Sequence, residues 1–257
     1  MFYPELDKED SLALHTDLYE INMMYTYFKK GIADRNAVFE TFYRKEPFGN
    51  GYAVYAGLEH IIQYLKNLKF SESDLQYLKE ECNYDADFID YLRNLELKLN
   101  IRSMREGELV FANEPILQVE GPLAQCQLVE TAILNIINFQ TLLATKAARI
   151  KLAVKDDGLM EFGSRRAQET DAAIWGARAA YIGGFDSTSN VRAGKLFGIP
   201  ISGTHAHALV EAFGSEYDAF KAYAETHRDC VFLVDTYDTV RSGVPNAIKV
   251  ANEMGDK

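Results

Sequence analysis

The chain has 257 residues, of which 47% are apolar and 25% charged, and its formal net charge is −11. That suits one large or two smaller globular domains with a sizeable core. The acidic balance argues against a general nucleic-acid or anionic-membrane surface and leaves room only for a local basic pocket.

The N-terminal stretch MFYPELDKEDSLAL carries acidic residues where a signal peptide has a basic region. No stretch reaches the ~18 uninterrupted apolar residues of a membrane span, so no membrane association is expected. Cys82, Cys126 and Cys230 are few, far apart and odd in number. They give neither a disulfide framework nor a zinc motif, and a reducing, cytoplasmic location is expected. Thr16 can cap a helix over DLYEINMMYTYFKKG, with Asp17 at its positive end and Gly31 after the lysines. AVFETFYR alternates as a strand does. Ser71 and Asp74 match a capping box with Asp in place of Glu. GELVFANEPILQVEGP reads as two short strands around a turn at Asn113–Pro115. From Leu123 to Val154 a helical pattern is apolar on too many sides for a surface helix, and two buried helices are expected.

The rhythm then changes. LMEFG reads as a strand and RRAQETDAAIWGARAAYIGG as a helix; GGFDSTS is a turn or short strand and NVRAGKLFG a short helix. IPISGTH reads as a strand before the helix AHALVEAFGSEYDAFKAYAETHR, and CVFLVD as a strand before VPNAIKVANEMG, with Pro245 in its first turn. Four β-then-α units predict parallel strands with right-handed crossovers, in an α/β barrel or an open sheet. The fold class is therefore α/β: a mixed α+β N-terminal domain over residues 1–122, then part of an α/β barrel over residues 123–257.

In both parallel architectures active sites form at the C-terminal strand ends. The four units carry EFGSRR, Asp186, GTHAH, and Asp235 with Asp238 at that position. Singly, each has an ordinary explanation as a helix-start charge, a turn former or a cap. Together they describe a pocket of arginines, carboxylates, histidines and Phe162, suited to a phosphorylated, Mg²⁺-bound ligand beside a flat ring. If His205 and His207 were both extended, their side chains would share a face, as one zinc requires. If a helix starts at Ala206, one imidazole points into the pocket and the other aside. A phosphate-binding GxxxxGK[ST] loop is absent, since GKLFG lacks both the upstream glycine and the Ser/Thr.

TDLYEINM (16–23), EFGSRRAQ (161–168), GGFDSTSN (183–190), GTHAH (203–207) and LVDTYDTVRSGVPNAIKVA (233–251) together resemble nicotinate phosphoribosyltransferase, of the type II phosphoribosyltransferase group. The resemblance runs from about Leu12 to the end and implies that group's barrel. It implies ATP-coupled synthesis of nicotinate mononucleotide from nicotinate and phosphoribosyl pyrophosphate, with Mg²⁺, in a homodimer with a shared site. His207, the last residue of the GT-x-A-H pattern, matches the family's phosphohistidine. Thr204 matches a nicotinate contact. Phe162 and Tyr19 match the two aromatics around the pyridine, Tyr19 coming from the other subunit. Arg165 matches a cation beside the substrate, Asp186 a residue facing the ring substituent, and Asp235 a carboxylate near ribose and metal. No protein metal ligand set is implied, and His205 has no assigned role.

The family pattern continues past MGDK with a further Asp-Ser-Gly strand and a glycine-rich phosphate loop. These 257 residues alone are therefore expected not to turn over and to bind nicotinate poorly. The competing readings are a nicotinamide- or quinolinate-using relative, a metal-dependent barrel hydrolase built on His205 and His207, and a non-catalytic fragment.

Overall fold

The computed structural model describes residues 11–49, 51–227 and 229–255. They form two compact units, divided between Ile199 and Pro200.

The first unit opens with α1 (Leu18–Lys29). Its N-cap is Asp17, one residue later than expected, because the Thr16 hydroxyl is instead donated to the Leu128 carbonyl at 3.2 Å. β1 (Asn36–Thr41), β3 (Asn100–Ser103) and β5 (Leu117–Pro122) make an antiparallel sheet in the order β1-β5-β3. A smaller antiparallel pair joins β2 (Ala53–Val54) to β4 (Leu109–Val110). Between them run α2 (Leu58–Asn67), α3 (Glu72–Glu80) and α4 (Ala86–Arg93). α3 begins with the expected capping box: the Asp74 N–H is donated to Ser71 Oγ, and the Ser71 N–H to Asp74 Oδ2 at 2.7 Å.

Residues 123–154, expected as two helices, form one: α5 (Leu123–Val154). The segment contains neither Gly nor Pro, so nothing in the backbone interrupts it. By length and apolar content α5 could cross a bilayer. In this fold it is instead a core helix, packed on α1, α2, α6 and both sheets. Its buried face carries polar groups that dock it: Thr145 Oγ1 accepts the Val54 N–H at 2.9 Å, and the Thr141 hydroxyl is donated to the Ala56 carbonyl at 3.1 Å.

After α5 come β6 (Met160–Glu161), α6 (Glu169–Ile182), β7 (Ser187–Thr188) and α7 (Val191–Phe197). β6 and β7 pair in parallel, Met160 with Ser187 and Glu161 with Thr188, as the βαβ reading expects.

The second unit contains α8 (His207–Phe213), α9 (Glu216–Thr226) and α10 (Val244–Met254), around a core of Val210, Ala219, Phe220 and Val250. The single helix expected over 206–228 is broken by Gly214, in the left-handed region at φ 69°, and by Ser215, which caps α9. The strands expected at 199–205 and 230–235 do not form a ladder; Ile201 makes only an isolated bridge. A strand needs a neighbour's backbone, and in the second stretch the Leu233 N–H goes to a side chain instead. α10 carries Pro245 in its first turn as expected, after a wide turn over Thr239–Gly243 that Asp238 caps.

Candidate active site

Tyr19 lies on the face of α1 turned away from the core. The adjoining face is pinned, because Glu20 is buried against α5, where it accepts from Gln127 and from Thr131. Burial pushes the Glu20 carboxyl above its ordinary range, against the lowering effect of the Gln127 bond. Tyr19 is thereby held outward with 52% of its surface exposed.

Phe162 and Arg165 follow β6, at the C-terminal end of the parallel pair, and both are exposed. Their loop is fixed from below. The Thr188 hydroxyl is donated to Glu161 Oε2 at 2.7 Å, and Glu161 also accepts the Gly163 N–H. Asn190 caps α7 and reaches Ser164 Oγ at 3.0 Å, holding the single 3₁₀ turn Ser164–Arg166. Asp186 was expected at the same end. It sits instead just before β7, at the pair's other end, because its carboxylate accepts the Leu159 N–H at 2.7 Å and lies 3.4 Å from Lys151 Nζ. The Leu159 bond, and then Lys151, hold its pKa below the usual carboxylate range.

In the second unit the two histidines of GTHAH separate. His205 is buried, its ring against Phe220, Tyr223 and Phe232. Its Nε2 accepts the Leu233 N–H at 3.1 Å, and Nδ1 lies 3.3 Å from the Ala206 carbonyl, which assigns the proton to Nδ1. Both ring nitrogens are engaged, so the expected alternative of a zinc pair on His205 and His207 is corrected: His205 has no lone pair to give. Among the described residues no group of three or more His, Cys, Asp or Glu side chains is placed to hold a metal.

His207 is the first residue of α8 and is exposed. Its Nδ1 is 3.2 Å from Thr236 Oγ1, and its Nε2 is 3.9 Å from Asp235 Oδ1. Thr204, also exposed, donates its hydroxyl to the His205 carbonyl at 2.8 Å. Residues 230–236 are therefore held on the inner histidine while offering Asp235 and Thr236 to the outer one. The close approach of Gly243 to the Val234 carbonyl, where any Cβ would collide, fixes the same stretch from its other side.

Three partnerships were not legible in the sequence. Thr236 joins His207. Glu106 and Arg178 form a two-pronged ion pair at 2.7 and 2.9 Å, each side chain only 17% exposed. His60 stacks on Trp175, centroids 3.9 Å apart. A lone arginine in the alanine-rich stretch AAIWGARAAYI was the one available signal for the second.

Residues 14–138 match the family model described as the nicotinate phosphoribosyltransferase (NAPRTase) N-terminal domain. The chain is 66% identical over 250 residues to nicotinate phosphoribosyltransferase of Bacillus subtilis (strain 168), a match covering 97% of this chain and 51% of that protein. Among solved structures it resembles human nicotinic acid phosphoribosyltransferase, with a TM-score of 0.85 at 34% identity over 94% of this chain and 58% of that one. It also resembles nicotinate-nucleotide pyrophosphorylase from Pyrococcus furiosus, with a TM-score of 0.76 at 26% identity, covering 95% and 56% of the two chains. The chain spans about half the length of the curated relatives it matches.

Proposed function

The chain belongs to the nicotinate phosphoribosyltransferase family, and on that premise we propose that it acts in NAD biosynthesis, joining nicotinate to phosphoribosyl pyrophosphate. The nicotinate ring nitrogen attacks C1 of the ribose and pyrophosphate leaves. ATP drives the reaction by transferring its terminal phosphoryl group to His207 as ADP departs. The observation that carries this reading is His207 itself: an exposed imidazole at a helix start, with Thr236 at one nitrogen and Asp235 beside the other. A hydroxyl at Nδ1 fixes the ring, a carboxylate beside Nε2 steadies the positive charge a phosphorylated ring carries, and a neutral imidazole is a competent nucleophile.

Phe162, with Tyr19 from the other subunit of a homodimer, would stack the pyridine, and their exposure leaves both rings free to do so. Arg165 pairs with the anionic substrate, and the Thr204 hydroxyl contacts nicotinate. The bonds of Asp186 to Leu159 and Lys151 support a positioning role, holding the turn into β7, in place of the ring contact that the resemblance implies. Mg²⁺ is held mainly by substrate phosphates and needs only one or two protein carboxylates. Asp235, 57% exposed on its side chain, fits that need. When bound, the ion would neutralise the departing pyrophosphate.

The test is a competition among pyridines. Incubated with phosphoribosyl pyrophosphate and ATP, the complete enzyme should convert nicotinate to its mononucleotide and leave nicotinamide and quinolinate unchanged. Consumption of either of the others in preference would overturn the assignment.

A further inference from the structure

A cavity of about 550 Å³ opens in the first unit between α2, α5 and the start of α6, a size common among small-molecule sites. None of the roles assigned above uses it. Its lining includes two buried polar groups without a partner among the described residues, Gln140 Oε1 and the Tyr64 hydroxyl. The two residues are only 1% and 4% exposed. Each such atom carries a desolvation cost that a bound group would relieve. The direction of Gln140 is set by its other end, since Nε2 lies 3.0 Å from His60 Nδ1 and donates to it. The carbonyl is the end left over.

The same cavity has a rigid aromatic wall. His60 lies flat on Trp175, 8° from parallel, and Trp175 leans on Phe197 with centroids 5.0 Å apart. Burial pushes the His60 pKa down to about 4, so the ring is uncharged at neutral pH. Among the described residues neither lysine nor arginine lines the cavity, and Asp171 stands at its edge. A phosphate group would find no lysine or arginine partner among them.

We propose that this cavity binds an uncharged, flat heterocycle whose edge presents both a hydrogen-bond donor and an acceptor, the pattern shared by an aromatic carboxamide and the adenine of a nucleoside. The donor N–H meets Gln140 Oε1, the acceptor takes the Tyr64 hydroxyl proton, and the ring covers the apolar wall. Such a ligand differs in kind from a phosphoribosyl substrate, and the proposal does not depend on the activity assigned above.

Trp175 is the chain's single tryptophan, so tryptophan emission reports this cavity directly. Adenosine and benzamide, titrated separately into the purified full chain, are the probes. A saturable emission change is expected, weakened roughly tenfold or more in Tyr64→Phe and in Gln140→Leu and unaltered in His207→Ala. Response to adenosine alone assigns the site to nucleosides, and response to benzamide alone assigns it to carboxamides. Adenosine monophosphate should bind more weakly than adenosine. Tyr64→Phe removes an unpaired buried hydroxyl and should melt no lower than the parent, so lost binding in that variant is not lost fold. Absence of a saturable change with both probes at millimolar concentration would overturn the proposal, as would equal affinities in the parent and Tyr64→Phe.

Discussion

His205 Nε2 accepts the backbone N–H of Leu233 at 3.1 Å, while His207, two residues on, stands exposed beside Asp235. One histidine holds the loop and the other faces out from it. His205→Ala should therefore cost about 2–3 kcal/mol, from a lost buried ring and an orphaned N–H. Protease sensitivity should appear in the second unit, from residue 200 onward. The purified parent should carry no zinc. Stoichiometric zinc that His205→Ala releases would contradict this division of labour.

The Glu106–Arg178 pair ties the turn before β4 to α6, and Glu106 also accepts the Gly57 N–H at 2.7 Å. Burial is the largest single influence and would raise the Glu106 pKa, but the Arg178 bond and charge together with the backbone bonds from Gly57 and Glu59 outweigh it, and the net shift is downward. A carboxylate with a depressed folded pKa gives stability that is present above its unfolded value, near pH 4.3. That stability is lost as pH falls through the folded value. Glu106→Gln should cost about 2–4 kcal/mol at neutral pH, by leaving Arg178 partly buried and unpaired. The difference from the parent should shrink below pH 4 in urea denaturation. A difference constant from pH 7 to pH 3 would exclude the pair as its source.

His60 has the opposite chemistry and the same sign. Its unfolded imidazole takes up a proton near pH 6.5, while burial keeps the folded ring neutral down to about 4. The stability it gives is full above pH 6.5 and falls as the pH drops toward 4, by roughly 3 kcal/mol in all. His60→Gln should flatten that slope. The emission of Trp175, stacked on the ring, should titrate in the folded parent with a midpoint near 4. A midpoint near 6.5 would show that the ring is not desolvated.

What the sequence revealed was local. The Ser71–Asp74 box, the helix over residues 18–29 and Pro245 at the start of α10 are each written within a few residues. So was the break at Gly214–Ser215, an S-x-x-D signal that the helical pattern around it masked. The strand patterns at 199–205 and 230–235 failed for a different reason. Alternation shows that a stretch could be a strand, but the ladder needs a neighbour, and the Leu233 N–H went to His205. The position of Asp186 followed from its bond to Leu159, and the Thr236, Glu106–Arg178 and His60–Trp175 partnerships link distant segments. No periodicity reports such pairs. GTHAH drew attention to its two histidines, but which imidazole is buried depended on Phe220 and Phe232, supplied from elsewhere in the chain.

Tyr19, 52% exposed on a pinned helix, is proposed to serve the partner subunit's site. Ring stacking is worth ~0.5–1.5 kcal/mol beyond burial, so Tyr19→Ala should weaken nicotinate binding roughly tenfold and leave the melting temperature unchanged. Mixing Tyr19→Ala with His207→Ala should recover part of the activity, because each mixed dimer can assemble one intact site. No recovery under conditions where subunits exchange would mean that the site is not shared.

His207 is the residue proposed to carry the phosphoryl group. Incubation of the complete enzyme with γ-labelled ATP should give an acid-labile, base-stable label on the protein, mapped to His207, absent from His207→Ala and discharged when nicotinate and phosphoribosyl pyrophosphate are added. Thr236→Val, which removes the hydroxyl 3.2 Å from Nδ1, should slow labelling without abolishing it. Label of the same stability persisting in His207→Ala would contradict the account.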